Sequence, residues 1–249
     1  LTQLTLDLGT KPVNVRCKLC RMEYIPSNQE DNALHKKFHA QYLSSISGID
    51  VPRSFTEGLG DAIVWTGPGS AMVVAIRRKH KLARRKLAFR CLAVAEQELG
   101  ALTTREDMLW STDADRAQQD RYAVFLYIQR QKCVGVCLAE RIRGAYVVLP
   151  RQDRPFQDVR GMSDVSSAAS ITISTESHAA ILGISRIWIS PSHRREGLAR
   201  RLLDSARADF LYGVSIPRDM VAFSQPTDSG ALLARKWFGK ENGWSVYVE

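Results

Sequence analysis

The chain has 249 residues, enough to bury a sizeable core as one large domain or two small ones. Its 45% hydrophobic and 24% charged content is that of a folded globular protein, and no apolar run approaches the roughly 18 residues that cross a membrane. Thirty-five Lys+Arg against 26 Asp+Glu leave +9, which suits work beside nucleic acid or an acidic partner. Five cysteines, an odd number with two in C-x-x-C, argue against disulfide scaffolding and for a reducing compartment with a metal site. The chain begins at Leu1 without methionine, as a piece of a longer chain does, and no signal peptide is visible.

The first ten residues, LTQLTLDLGT, alternate apolar and polar positions and predict a short edge strand. Gln3-x-x-Leu6 is half of a sliding-clamp-binding box, without the paired aromatics that fill the clamp pocket. Cys17-x2-Cys20-x14-His35-x3-His39 is the most specific local signal. Two thiolates on a tight turn and two imidazoles one helical turn apart can close a tetrahedron around Zn²⁺. With no spare ligand nearby, the site is expected to be closed and structural. Residues 28–34, NQEDNAL, hold the place of base-reading side chains in a DNA-binding finger, yet carry two acids and no base. Docking or folding is therefore the finger's expected role.

Residues 48–60 read as a linker. Residues 62–65 and 71–76 flank TGPGS and predict a β-hairpin. A long helix follows from about His80 to Leu99, with Leu87, Cys91, Ala95 and Leu99 on one stripe. Arg77, Arg78, Lys79, Lys81, Arg84, Arg85 and Lys86 form either a nucleic-acid-facing patch or an ordinary solvated face. After a polar stretch, three β-rich runs at 122–128, 133–141 and 145–149 predict an antiparallel meander. Cys133 and Cys137, four apart, are expected on one face of their strand as buried small apolar residues. Residues 151–177, rich in Ser, Asp, Arg and Gln, are expected to form a mobile surface insertion.

Residues 184–210, ISRIWISPSHRREGLARRLLDSARADF, organise the rest. A β-rich run is stopped by Pro191, a basic turn follows, and Leu198, Leu202, Leu203, Ala206 and Phe210 recur at helical spacing. Strand, glycine turn and helix in that order present backbone N–H groups and a positive dipole end to an anion. Gly197 and Ala199 leave no bulk where a phosphate would approach, and Arg194 and Arg195 supply charge-assisted donors. A strand at 220–223, an N-capped turn at Thr227-Asp228-Ser229-Gly230, a short helix to Phe238 and a last strand at 244–248 complete the chain. Trp188, Trp237 and Trp244 are expected in the core. This order predicts an α+β, α/β-like core: a mixed sheet with helices on both faces.

Arg194-x-x-Gly197-x-Ala199 after such a strand resembles the pyrophosphate loop of the GNAT acetyltransferases. Joined to a C2H2 finger, ILGISRIWIS, RREGLA, AFSQPTDSG and the opening QLTLDLG, it makes the whole chain similar to the sister-chromatid cohesion acetyltransferases. The resemblance implies a strand and finger at 1–47, a linker at 48–60, and a GNAT domain at 61–249 with a mostly antiparallel mixed sheet. It implies a structural Zn²⁺ on Cys17, Cys20, His35 and His39, and acetyl-CoA as the acetyl donor. Acetyl-CoA would lie along the backbone of Ile187, Trp188 and Ile189, with its pyrophosphate on Arg194, Arg195, Glu196, Gly197, Leu198, Ala199 and Arg200, beside a wall of Thr227, Asp228 and Ser229. Ser185, Asp204 and Ser224 are the implied catalytic positions.

The partner implied is the cohesin SMC subunit, whose lysines are acetylated in the nucleus at chromatin; a sliding clamp or replication-fork protein and a weak nucleic-acid contact are further expected partners. One departure stands out: the family's animal members carry an acid after the serine of F-S-x-P-T, where this chain has Gln225. That keeps open a chromatin-binding module with a degenerate GNAT core, or an acetyltransferase for another protein or a small amine.

Overall fold

A computed structural model of the chain describes residues 14–20, 22–112, 119–150 and 171–248. The edge strand expected in the first ten residues lies outside them, as does most of the expected insertion.

The described residues begin with a ββα finger. Strands β1 (Val15–Arg16) and β2 (Glu23–Tyr24) pair antiparallel and lead into helix α1 (Gln29–Ser45). Asn28 caps that helix, its side chain accepting from the Glu30 and Asp31 N–H groups, and the two acids sit where the helix dipole favours them. The acids in 28–34 thus start the helix.

Residues 48–60 are built into the core. Strand β3 (Ile49–Asp50) pairs with the next domain's central strand, and the short helix α2 (Arg53–Thr56) follows. Val51, Phe55 and Leu59 are buried against the sheet. The expected hairpin forms as β4 (Ile63–Thr66) and β5 (Met72–Ile76), and the long helix α3 runs Leu82–Leu99. After α4 (Glu106–Leu109) come strands β6 (Tyr122–Gln129), β7 (Lys132–Arg141), β8 (Gly144–Val148), β9 (Ile173–Ala179) and β10 (Leu182–Ile189). Helix α5 (Leu198–Asp209), strand β11 (Val221–Ser224), helix α6 (Asp228–Phe238) and strand β12 (Ser245–Tyr247) complete it.

The large sheet runs β4-β5-β6-β7-β10-β11-β12-β8-β9, with β3 on the start of β7. Only β10–β11 and β11–β12 are parallel; the other pairings are antiparallel. Helices α5 and α6 cover one face through Leu202, Leu203, Ala206, Ala234 and Trp237, while α3 covers the other through Leu87, Cys91, Leu92 and Ala95. The α+β class with helices on both faces of a mixed, mostly antiparallel sheet is therefore what the chain adopts.

Three local expectations change. The meander stops after two strands: β8 leaves β7 and pairs with β12 and β9 instead. Residues 173–177, counted with the insertion, belong to β9. Cys133 and Cys137 face opposite sides, because the register of β7 shifts between Cys133 and Gly135 and one extra residue inverts the alternation. Burial drives the Cys137 thiol up to about 12, and Cys133, beside Cys91, is raised well above the usual thiol range, so both are inert apolar filler.

Candidate active site and zinc finger

Strand β10 carries the feature that makes a site. On its β7 edge it is laddered from Leu182 to Ile189. On its β11 edge the ladder covers only Leu182–Ile184 against Val221–Phe223, and beyond Ile184 no strand takes that edge among the described residues. The register against β7 also shifts there: Ile184 opposes Ala139 and Arg186 opposes Leu138, leaving Ser185 as the extra residue of a β-bulge. The bulge turns Ile187 and Ile189 toward α5 and Trp188 toward α3.

Two parallel strands that start as neighbours and then part leave an open slot, with Ser185 and Ser224 at its fork. The Ser224 hydroxyl donates to the Ser185 carbonyl at 2.8 Å, pinning the fork. The Arg186 guanidinium donates to the same carbonyl at 2.8 Å and to the Ser185 hydroxyl oxygen at 3.1 Å. A hydroxyl that accepts from a cation becomes a better donor, suited to an oxygen gaining negative charge. Closeness of packing protects the arrangement on the other edge: a Cβ at Gly135 would meet Ile189 Cδ1 at 2.8 Å and Leu202 Cδ1 at 3.0 Å.

The strand then feeds the basic turn. Arg194, Arg195, Glu196 and Gly197 are all exposed, and Leu198 is buried as the first anchor of α5. Arg195 (φ 68°) and Gly197 (φ 85°) both adopt left-handed backbone, with nothing within 4 Å of where a Gly197 Cβ would be. No side chain caps α5, so its first-turn N–H groups remain for an anion in the open space at Gly197. Arg194 is braced by its Nε donating to the Ile189 carbonyl at 3.1 Å. Across the slot, Thr227 caps α6 by accepting from the Gly230 N–H, and Asp228 and Ser229 are exposed beside it.

Asp204 is placed differently. One carboxylate oxygen accepts from the Trp237 indole at 2.9 Å and faces Arg218 at 3.6 Å; the other faces Arg200 at 3.8 Å. It is the tie between α5 and α6. Gln225 is exposed at the mouth of the β11 turn.

The basic run at the start of α3 is largely occupied within the protein. Arg77 pairs with Asp209 at 2.5 Å, Arg78 with Asp120 at 3.1 Å and Lys79 with Asp61 at 2.9 Å. Arg84 donates to the Gly58 carbonyl, and Arg85 lies over the Trp110 ring.

In the finger, the ligand atoms of Cys17, Cys20, His35 and His39 lie within 4.8 Å of one another. A tetrahedron with bonds of about 2.0–2.3 Å needs separations just under 4 Å, so a small rotamer adjustment closes the shell. His35 Nε2 is buried with no hydrogen-bond partner among the described residues, as a metal-facing nitrogen would be. The Cys17 thiol is drawn down to about 6, first by the Cys20 backbone N–H and then by His35, which supplies the thiolate a metal requires. The donor set fits a structural Zn²⁺.

Two enclosed acids at the end of α3 escaped sequence reasoning. Glu96 accepts from both the N–H and hydroxyl of Thr104, and Glu98 is enclosed between α1, α3 and β10. Both stand in the last turn of α3, where the helix dipole disfavours an acid, and that misplacement was the legible signal.

Residues 178–247, from β9 to β12, match the family model described as ESCO1/2 acetyl-transferase, and residues 3–41 match the zinc-finger of acetyl-transferase ESCO. The N-acetyltransferase eso1 of Schizosaccharomyces pombe is 34% identical over 98% of this chain, and ESCO2 of Danio rerio 32% over 94%. The chain is thus similar to the ESCO/Eco1 acetyltransferases in both its finger and its core. It spans 25% and 36% of those two relatives' lengths, and 72% of the 27%-identical ECO1 of Yarrowia lipolytica. Among solved structures, the xEco2 acetyltransferase domain bound to a CoA conjugate is similar with a TM-score of 0.58 at 26% identity, over 74% of this chain and 95% of that one.

Proposed function

We propose that this chain is an acetyl-CoA-dependent protein lysine N-acetyltransferase that modifies the SMC subunit of cohesin, in the nucleus at chromatin. The observation that carries the reading is the forked edge of β10, open from Ser185 onward and leading directly into the uncapped start of α5. The CoA conjugate held by the xEco2 domain supports it.

Bound acetyl-CoA supplies an acetyl thioester. The backbone of Ile187, Trp188 and Ile189 offers the open strand edge to its pantetheine arm, and Arg195 to Arg200 offer N–H groups and charge to its pyrophosphate. Thr227, Asp228 and Ser229 close the far wall. A strand N–H at Ser185 or Arg186, with the Ser185 hydroxyl, donates to the oxygen that gains charge. A lysine amine, with a free pKa of about 10.4, attacks only when neutral, and enclosure in the slot favours that form. Ser224, whose proton is committed to the Ser185 carbonyl, keeps lone pairs that accept from the amine and aim it. Glutamine cannot take a proton, so Gln225 leaves that step to water within the slot. As the amide C–N bond forms the thioester C–S bond breaks, and coenzyme A departs as a thiolate that takes up the proton.

Intact-mass spectrometry of a cohesin SMC-head fragment incubated with the chain and acetyl-CoA tests this. One acetyl group is added by the wild type and none by Gly197→Asp. CoA binding without transfer overturns the SMC assignment; absence of CoA binding overturns the enzyme and leaves the chromatin-binding module that Gln225 would suit.

A further inference from the structure

Three chain segments that are distant in sequence meet at one buried carboxylate. Glu98 lies in the last turn of α3, and its side chain is 8% exposed. Its Oε1 accepts the hydroxyl of Ser45, the last residue of α1. Its Oε2 accepts the indole N–H of Trp188 on β10 at 2.9 Å and faces the Arg194 guanidinium at 3.8 Å. A second tie runs alongside: Ser192, between β10 and the basic turn, bonds the Ile46 carbonyl through its N–H at 3.2 Å and its hydroxyl at 2.5 Å. Topology explains the meeting, because β3 pairs with Lys132 and Cys133 of β7 just beyond the point where β10 ends opposite Gly135. The finger's exit and the cofactor strand's exit are thus end to end.

A carboxylate this enclosed is unfavourable unless donors and a countercharge hold it. Here the donors come one from the finger helix and one from the cofactor strand, and the countercharge from the turn itself. Ser45 is also fully enclosed, with the Tyr42 carbonyl at 2.9 Å as the alternative acceptor for the one hydroxyl proton that Glu98 takes. Ser45 stands six residues after the ligand His39 on the same helix, so one continuous helix joins the metal shell to the donor on Glu98.

We infer that Glu98 is a positioning residue for the cofactor loop, and that the zinc finger holds that loop through it, by the path α1 end, Glu98, then Trp188 and Arg194. The inference rests on the proposed use of acetyl-CoA at this slot. The finger is then a brace for cofactor affinity, in keeping with its acidic helix start.

The test is calorimetric titration of coenzyme A into the whole zinc-loaded chain, its Glu98→Gln and Ser45→Ala variants, and zinc-stripped wild type and Ser45→Ala, each with a thermal melt. Absence of binding by the wild type defeats the proposed function and is read separately. Given binding, Glu98→Gln, which removes the charge facing Arg194 but preserves shape, weakens it about tenfold, and Ser45→Ala about threefold. Zinc removal weakens wild-type binding, and combined with Ser45→Ala adds less than the sum of the two, because both act on one path. In the transfer assay the KM for acetyl-CoA rises in Glu98→Gln while kcat stays within about twofold; a merely structural acid would lower Tm and active fraction and leave KM alone. Unchanged CoA affinity in both variants, or full additivity with zinc removal, overturns the inference.

Discussion

The two edges of β10 are the same backbone with opposite fates. Along β7 every residue from Leu182 to Ile189 except the bulged Ser185 sits in a ladder, and a Cβ at Gly135 would press on Ile189 Cδ1 at 2.8 Å and Leu202 Cδ1 at 3.0 Å. Along β11 the ladder ends at Ile184, one residue before the bulge at Ser185 that shifts the register on the β7 side. A strand can leave one edge open at low cost only if the other edge and both faces hold it. The closed edge is therefore what allows the open one, and substitutions on the two sides should fail in different ways.

The strongest break of the comparison pairs two glycines. At the closed end, Gly183→Val drives a Cβ to 2.7 Å from the Tyr247 ring and 2.8 Å from Ile142, with about 3 kcal/mol lost in a denaturant melt. At the open edge, Gly197→Asp has room for its Cβ and costs only about 1 kcal/mol of left-handed backbone strain, yet weakens CoA at least about a hundredfold. Equal stability losses at both sites would erase the distinction.

Between them lies the fork. Ser185→Ala and Ser224→Ala are expected to lower kcat by about 10- to 100-fold with Tm nearly unchanged, read by steady-state kinetics beside a melt. Asp204 separates structure from charge: Asp204→Ala strands the buried Trp237 indole and costs about 1–2 kcal/mol, whereas Asp204→Asn keeps an acceptor there and restores most of it. The smallest effect is a pH effect far from the slot. Burial holds His80 below its usual pKa, and its Nδ1 accepts from the Arg77 N–H. The folded pKa is the lower one, so the unfolded chain binds the extra proton, and stability present above about pH 6.5 falls as pH drops below it. His80→Gln should flatten that acid limb in melts between pH 7 and 5.

Much of this was legible in the chain because some signals are local. Leu198, Leu202, Leu203, Ala206 and Phe210 at helical spacing after a Pro-stopped strand gave α5 and its open start, and the Cys-His spacing gave the finger. What escaped depends on partners distant in sequence. The bulges at Val134 and Ser185 exist only relative to a neighbouring strand, so face assignments by alternation reversed at Cys137. The pairing of β12 with β8 spans about a hundred residues and leaves no mark in either strand. The segment 48–60 did carry a mark: Val51, Phe55 and Leu59 are three large apolar residues in a stretch otherwise rich in turn formers, and all three are buried.

The central claim is that the β11-side edge of β10 beyond Ile184, which no described strand takes, is the cofactor's seat, and amide hydrogen exchange with and without coenzyme A reads it directly. The account predicts new protection at Ile187 to Ile189 and at Leu198 to Arg200, with the Leu182–Ile184 ladder unchanged. Protection confined to other strands, with those two segments exchanging as before, would contradict it.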